Sequence, residues 1–149
     1  MIWSKAWVME RERFDGADVA YLLHAVGDRL DWDRLLARFG PHWRVLLGHL
    51  VLFGFIYPDV RTRVPAQVMR TLMARLEAEL ETEDPGERAC QGTLLSREQY
   101  LIDVEHWGYR DARLSPPGPM GADDIARWTD AIVPRERIHG EANARRGRG

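Results

Sequence analysis

Pro41-His-Trp-Arg-Val-Leu-Leu-Gly-His-Leu-Val-Leu-Phe-Gly-Phe-Ile-Tyr57 decides the fold. Its length and composition are those of a helix, and Pro41 suits the first turn. Nearly every side is apolar, which predicts a helix running through the centre of the domain. Gly48 and Gly54 cost a helix stability, so a neighbouring element is expected to pack closely at each. With its glycines and His49, the run falls short of the ~20 apolar residues of a bilayer span. No membrane partner is expected.

Working outward, the rest of the pattern is also helical. Asp31 is an N-cap for a short helix through Trp32, Leu35, Leu36 and Phe39, stopped by Gly40. Upstream, Asp15 reads as the N-cap of a helix with Asp18 in its first turn and Val19, Leu22, Leu23 and Val26 as its buried stripe. Gly27 ends it. Ile2, Ala6 and Met9, flanked by Trp3 and Trp7, give an apolar arc that predicts a helix over residues 2–13.

Downstream, Pro65 opens a helix with Val68, Met69, Leu72, Met73, Leu76 and Leu80 on one stripe. Glu77, Glu79, Glu81 and Glu83 crowd its C-terminal end, where the dipole disfavours anions, so it should fray into a loop over 84–92. Residues 93–95 are the only strand candidate. Ser96 and Gln99 form a capping-box signal for a helix to about residue 107. After a Pro/Gly connection over 116–121, Ile125, Trp128 and Ile132 mark a last helix over 122–133. The fold class is therefore all-α: an irregular domain of about seven helices around helix 41–57. It spans 1–133, and a polar tail over 134–149 is expected to be disordered.

Composition narrows the function. A chain of 149 residues, 45% apolar and with six tryptophans, can bury a core without metal or disulfide. The formal net charge of -2 excludes a general nucleic-acid polyelectrolyte. The lone Cys90 excludes an internal disulfide and a cysteine-rich metal framework. The N-terminus runs quickly into Glu10-Arg-Glu-Arg13 and carries no secretory pattern, so a soluble, cytoplasmic protein is expected.

Few residues suggest chemistry. His42 and His49 share a helix face but lie roughly 10 Å apart, too far to share one ion. Asp103 and His106 form a commonplace i,i+3 pair. Arg44 and His49 match the R-x4-6-H pattern of the all-helical HEPN ribonucleases, in which such a pair would activate an RNA 2′-hydroxyl and stabilise the phosphate. So apolar a helix makes His49 a candidate core histidine instead. Lys5 stands out for another reason. Lysine and arginine total 21, and with Lys5 the single lysine, twenty are arginine. Its compact ammonium is not interchangeable with a guanidinium, and a lysine at the rim of an apolar arc can extend its charge into a cleft.

Trp3-Ser-Lys5-Ala6 and Met9-Glu-Arg-Glu-Arg-Phe-Asp-Gly-Ala-Asp-Val19 resemble the segment that follows the catalytic domain in nucleotidyltransferase-like proteins of the polymerase-β superfamily. Phe39-Gly-Pro-His-Trp-Arg-Val-Leu-Leu47, Phe53-Gly-Phe-Ile-Tyr-Pro58 and Gly92-Thr-Leu-Leu-Ser-Arg-Glu-Gln-Tyr100 are similar to the C-terminal half of such proteins. The resemblance implies that Lys5 and Arg13 contact nucleotide phosphate, with Asp15 and Asp18 as a supporting acidic element. For the complete protein it implies magnesium and a nucleoside triphosphate. This chain departs from the family pattern by lacking any Gly-Gly or Gly-Ser dipeptide, and Asp31-Trp-Asp33 reads as a helix cap rather than a metal dyad. The expectation is a helical half with no catalytic residues or cofactor of its own, partnered by a catalytic half and inactive alone. The alternatives are a HEPN-like ribonuclease and a non-catalytic helical interaction domain.

Overall fold

A computed structural model describes residues 1–2, 9–10, 13–14, 16–82, 86, 88–96, 99–114 and 123, and they are mostly helical. The chain divides into two compact units, Met1–Gly86 and Glu87–Gly149.

In the first unit, Met9–Glu10 (β1) and Arg13–Phe14 (β2) pair antiparallel, with Glu10 opposite Arg13 and Met9 opposite Phe14. This corrects the C-terminal part of the helix expected over 2–13; Ile2 is helical, and residues 3–8 lie outside the described residues. A helix that short is marginal in water on its own, and cross-strand pairing satisfies the same backbone groups. Four helices follow: α1 (Gly16–Val26), α2 (Trp32–Phe39), α3 (Trp43–Ile56) and α4 (Ala66–Leu80). Their ends obey local chemistry. The Asp31 carboxylate accepts a hydrogen bond from the Arg34 amide at 3.0 Å and caps α2. Gly40, at φ 46° and ψ -117°, takes a positive-φ conformation that favours glycine and ends it, with its amide donating to the Leu36 carbonyl. By length and composition alone the helical stretch Trp32–Ile56 is long and apolar enough to cross a bilayer, but Gly40 divides it into helices of 8 and 14 residues.

Helix α3 contacts α1, α2 and α4. Trp43, Leu46, Leu47, Leu50 and Phe53 bury one stripe of it against Val19 and Leu23 of α1, Phe39 of α2, and Val68 and Leu72 of α4. The opposite stripe is exposed: Gly48, Val51, Leu52 and Phe55, the last 83% accessible. Thus α3 is apolar all round in sequence but one-sided in packing. The close packing expected at its glycines is also corrected. A Cβ at Gly48 would meet nothing within 4 Å, and one at Gly54 only the Arg61 Cβ at 4.0 Å.

The close approach lies elsewhere. Gly27 opens a 3-10 turn, Gly27–Arg29, between α1 and α2. Its carbonyl accepts the buried indole N–H of Trp32 at 2.9 Å. Arg63 crosses over it, donating to the His24 carbonyl and lying 3.9 Å from the Asp28 carboxylate.

In the second unit, Ala89–Cys90 (β3) pairs in parallel with Arg110–Asp111 (β4). Parallel strands need a long crossover, and this one carries the 3-10 turn Gly92–Leu94 and the short helix α5 (Leu101–Glu105). Strand therefore occupies part of the loop expected over 84–92, and the strand candidate at 93–95 is instead largely the 3-10 turn. The Gln99 amide does donate to the Ser96 hydroxyl, at 3.3 Å. However, the helix starts at Leu101 and stops at Glu105, because Gly108 (φ 70°) and the Tyr109 amide, bonded to the Asp103 carbonyl at 3.0 Å, turn the chain into β4. Asp123 is helical, but the rest of the helix expected over 122–133 and the tail over 134–149 lie outside the described residues.

A Cβ at Gly27 would sit 3.1 Å from the Arg63 carbonyl oxygen, which is backbone and cannot swing away. Gly27→Ala is expected to destabilise the protein by about 1–3 kcal/mol, measured by urea denaturation. Gly48→Ala, at an open helical site, should stabilise it by up to ~1 kcal/mol.

Candidate functional site

Of the expected site residues, Arg13 and Asp18 fall among the described residues. Asp18 lies in the first turn of that helix, where the exposed amides and the positive end of the dipole favour a carboxylate. Arg13 lies in β2, three residues before Gly16, and pairs through its backbone with Glu10. Lys5 and Asp15 lie outside the described residues, as do Trp3 and Trp7.

Arg44 and His49 do not meet. Five residues apart on α3, they point to different sides of the helix. His49 is 5% exposed among the core leucines, whereas Arg44 is on the surface, stacked 5.1 Å over the Trp43 ring and paired with Glu79 of α4. That exposed pair contributes little to stability, ~1 kcal/mol or less. A ribonuclease cleft would need both groups facing one phosphate. Among the described residues, no group of three or more His, Cys, Asp and Glu side chains could hold a metal ion.

The most polar buried cluster lies in the second unit. Arg113 is 2% exposed, and Asp111, Thr93 and Ser96 are buried with it. One edge of the guanidinium grips both Asp111 oxygens: Nε donates to Oδ1 at 3.0 Å and to Oδ2 at 2.9 Å, and Nη2 donates to Oδ2. The Arg113 amide and the Thr93 hydroxyl add bonds to Oδ1 at 2.9 and 2.8 Å. Burial disfavours the Asp111 carboxylate, but the Arg113 and Thr93 hydrogen bonds and the Arg113 charge outweigh it, holding its pKa below the ordinary value. Nearby, the Cys90 thiol donates to Asp103 at 3.7 Å.

Chemically, this arrangement is a clamp. Both Asp111 oxygens are occupied and their lone pairs are tied to donors, so the group is poorly placed to accept a proton from a substrate. Its work is to join the 3-10 turn Gly92–Leu94 to β4 and the turn that follows, Ala112–Leu114. One donor, Arg113 Nη1, is buried without a hydrogen-bond partner. Sequence reading missed the clamp. Its signal was Asp111-x-Arg113 outside a helix, too common to single out; Thr93 lies 18 residues upstream.

No family model, curated protein or solved structure matches the chain.

Because folded Asp111 ionises at lower pH than the unfolded residue, whose ordinary pKa is ~3.9, its stabilisation is present above that value. It is lost as pH falls through the folded pKa. Asp111→Asn leaves the Arg113 charge buried and uncompensated and should cost about 3–5 kcal/mol at neutral pH. The gap to wild type should close below about pH 4, as measured by amide exchange at residues 110–113.

Proposed function

We propose that this chain is the helical C-terminal region of a nucleotidyltransferase-like protein, supplying nucleotide-phosphate contacts to a catalytic half on another polypeptide segment. Lys5 and Arg13 are the phosphate-facing cations of this reading, and Asp15 and Asp18 are the carboxylates that hold cations in place. With it goes the architecture of about seven helices arranged around residues 41–57. Magnesium and the nucleoside triphosphate belong to the assembled protein. Phosphoryl transfer depends on positioning and charge more than on covalent groups, so a half that carries cations contributes without carrying a nucleophile.

The observation that supports this reading best is the route of the chain from β1 through β2 into α1. It has Arg13 in a strand that ends two residues before an eleven-residue helix, whose N-terminal amides and dipole attract phosphate. A second reading, a non-catalytic helical interaction domain, draws on the exposed apolar stripe of α3.

Titration of the full chain with each labelled nucleoside triphosphate in magnesium should show saturable binding. Lys5→Ala and Arg13→Ala should each weaken it roughly tenfold, the loss of one charge-assisted hydrogen bond. The chain alone should not incorporate labelled nucleotide into an acceptor. Binding indifferent to both substitutions, or robust incorporation, would contradict the proposal.

A further inference from the structure

The outer face of α4 has a spacing that its own unit does not use. Ala66, Arg70, Met73, Glu77 and Leu80 recur at intervals of four and three residues and form one continuous seam along the helix, apolar at Ala66, Met73 and Leu80 and charged at Arg70 and Glu77. All five are exposed, Leu80 at 76%. The buried stripe of the same helix, Val68 and Leu72 with Met69 and Leu76 partly covered, flanks this face at roughly 100° around the helix axis. Beside the start of the seam runs a groove of ≈ 680 Å³ lined by Val51, Gly54, Val64, Ala66, Met69 and Arg70. Phe55 stands one turn beyond Val51 on α3, also exposed.

We infer that this face binds a second copy of the chain, with the two α4 helices antiparallel about a two-fold axis near Met73. The order of residues along the seam is what selects this occupant. Turned end for end, Ala66-Arg70-Met73-Glu77-Leu80 is complementary to itself. Met73 meets Met73. Arg70 lies opposite Glu77, offset along the axis by one residue or about 1.5 Å, a gap that two long side chains span. Leu80 lies opposite Ala66, a large residue facing a small one, and drops toward the groove that Ala66 lines.

A parallel pairing would set Arg70 against Arg70 and Glu77 against Glu77, so charge selects the antiparallel arrangement. Among the described residues, neither Arg70 nor Glu77 has an ion-pair partner within its own chain. Arg70 makes one hydrogen bond, to Gln67 at 3.3 Å. The seam is short, since 15 residues extend only ~22 Å. Such an interface is at the small end for a stable complex, and it produces a dimer in concentration-dependent exchange with monomer. This inference rests on α4 alone and stands independently of nucleotide binding.

Sedimentation equilibrium of the full chain over a concentration series tests it. The expected result is a monomer–dimer equilibrium. Arg70→Glu and Glu77→Arg should each raise the dimer dissociation constant roughly tenfold, and the double exchange R70E/E77R should return it close to wild type. Helical content and thermal midpoint are followed in parallel, so that a folding defect is not mistaken for lost association. In a Cys90→Ser background, Met73→Cys should form an intermolecular disulfide on mild oxidation, because the two-fold axis brings that position against itself. A chain monomeric throughout, a dimer indifferent to the charge reversals, or a double exchange that fails to restore association would overturn the inference.

Discussion

The first unit depends on the contact that Leu46, Leu50 and Phe53 make from one side of α3. Those side chains reach α1, α2 and α4 from a single helix face, and each contributes about 1.5–3 kcal/mol on burial. The other elements follow from keeping that face covered. Gly40 breaks the chain so that α2 can return across α3. Gly27 lets Arg63 and Trp32 close over the far end of α1. Because one face suffices for the core, the equally apolar opposite face is left outside, where it needs another explanation.

What was legible in the sequence was what local chemistry decides. Asp31, Gly40 and Pro65 marked helix ends correctly because capping and backbone conformation depend on neighbours within a turn. Val19, Leu23, Val68 and Leu72 were identifiable as core because helical spacing sorts them onto one face. Composition misled on α3. An all-apolar helix reads as enclosed, yet Val51, Leu52 and Phe55 are exposed, and nothing in their spacing distinguishes them from Leu46 and Leu50. The backbone pairs of β1 with β2 and β3 with β4 were also invisible. Each consists of two-residue strands, too short to show alternation.

The candidate site divides along the same line. Asp18 was expected in a first turn and is found there, since a helix dipole is a local property. The Arg113–Asp111–Thr93 clamp is a tertiary arrangement that only folding assembles. Conversely, Arg44 and His49 had a motif's spacing without its geometry: burial took one and the surface kept the other. A charged pattern becomes a site only when the packing turns its members toward one point. In the second unit packing turns them inward, to hold a turn against a strand. At the start of α1, Asp18 is the one member placed in the first turn.

The central claim is that α3 has two apolar faces, of which one holds the fold and the other is left outside the core. The most direct measurement compares urea denaturation of Phe53→Ala and Phe55→Ala at a concentration low enough to keep the chain monomeric. The account predicts a loss of about 3–5 kcal/mol for Phe53→Ala, as for a filled core site, and within ~0.5 kcal/mol of wild type for Phe55→Ala. Equal losses at the two positions would contradict it, because both faces would then belong to the interior.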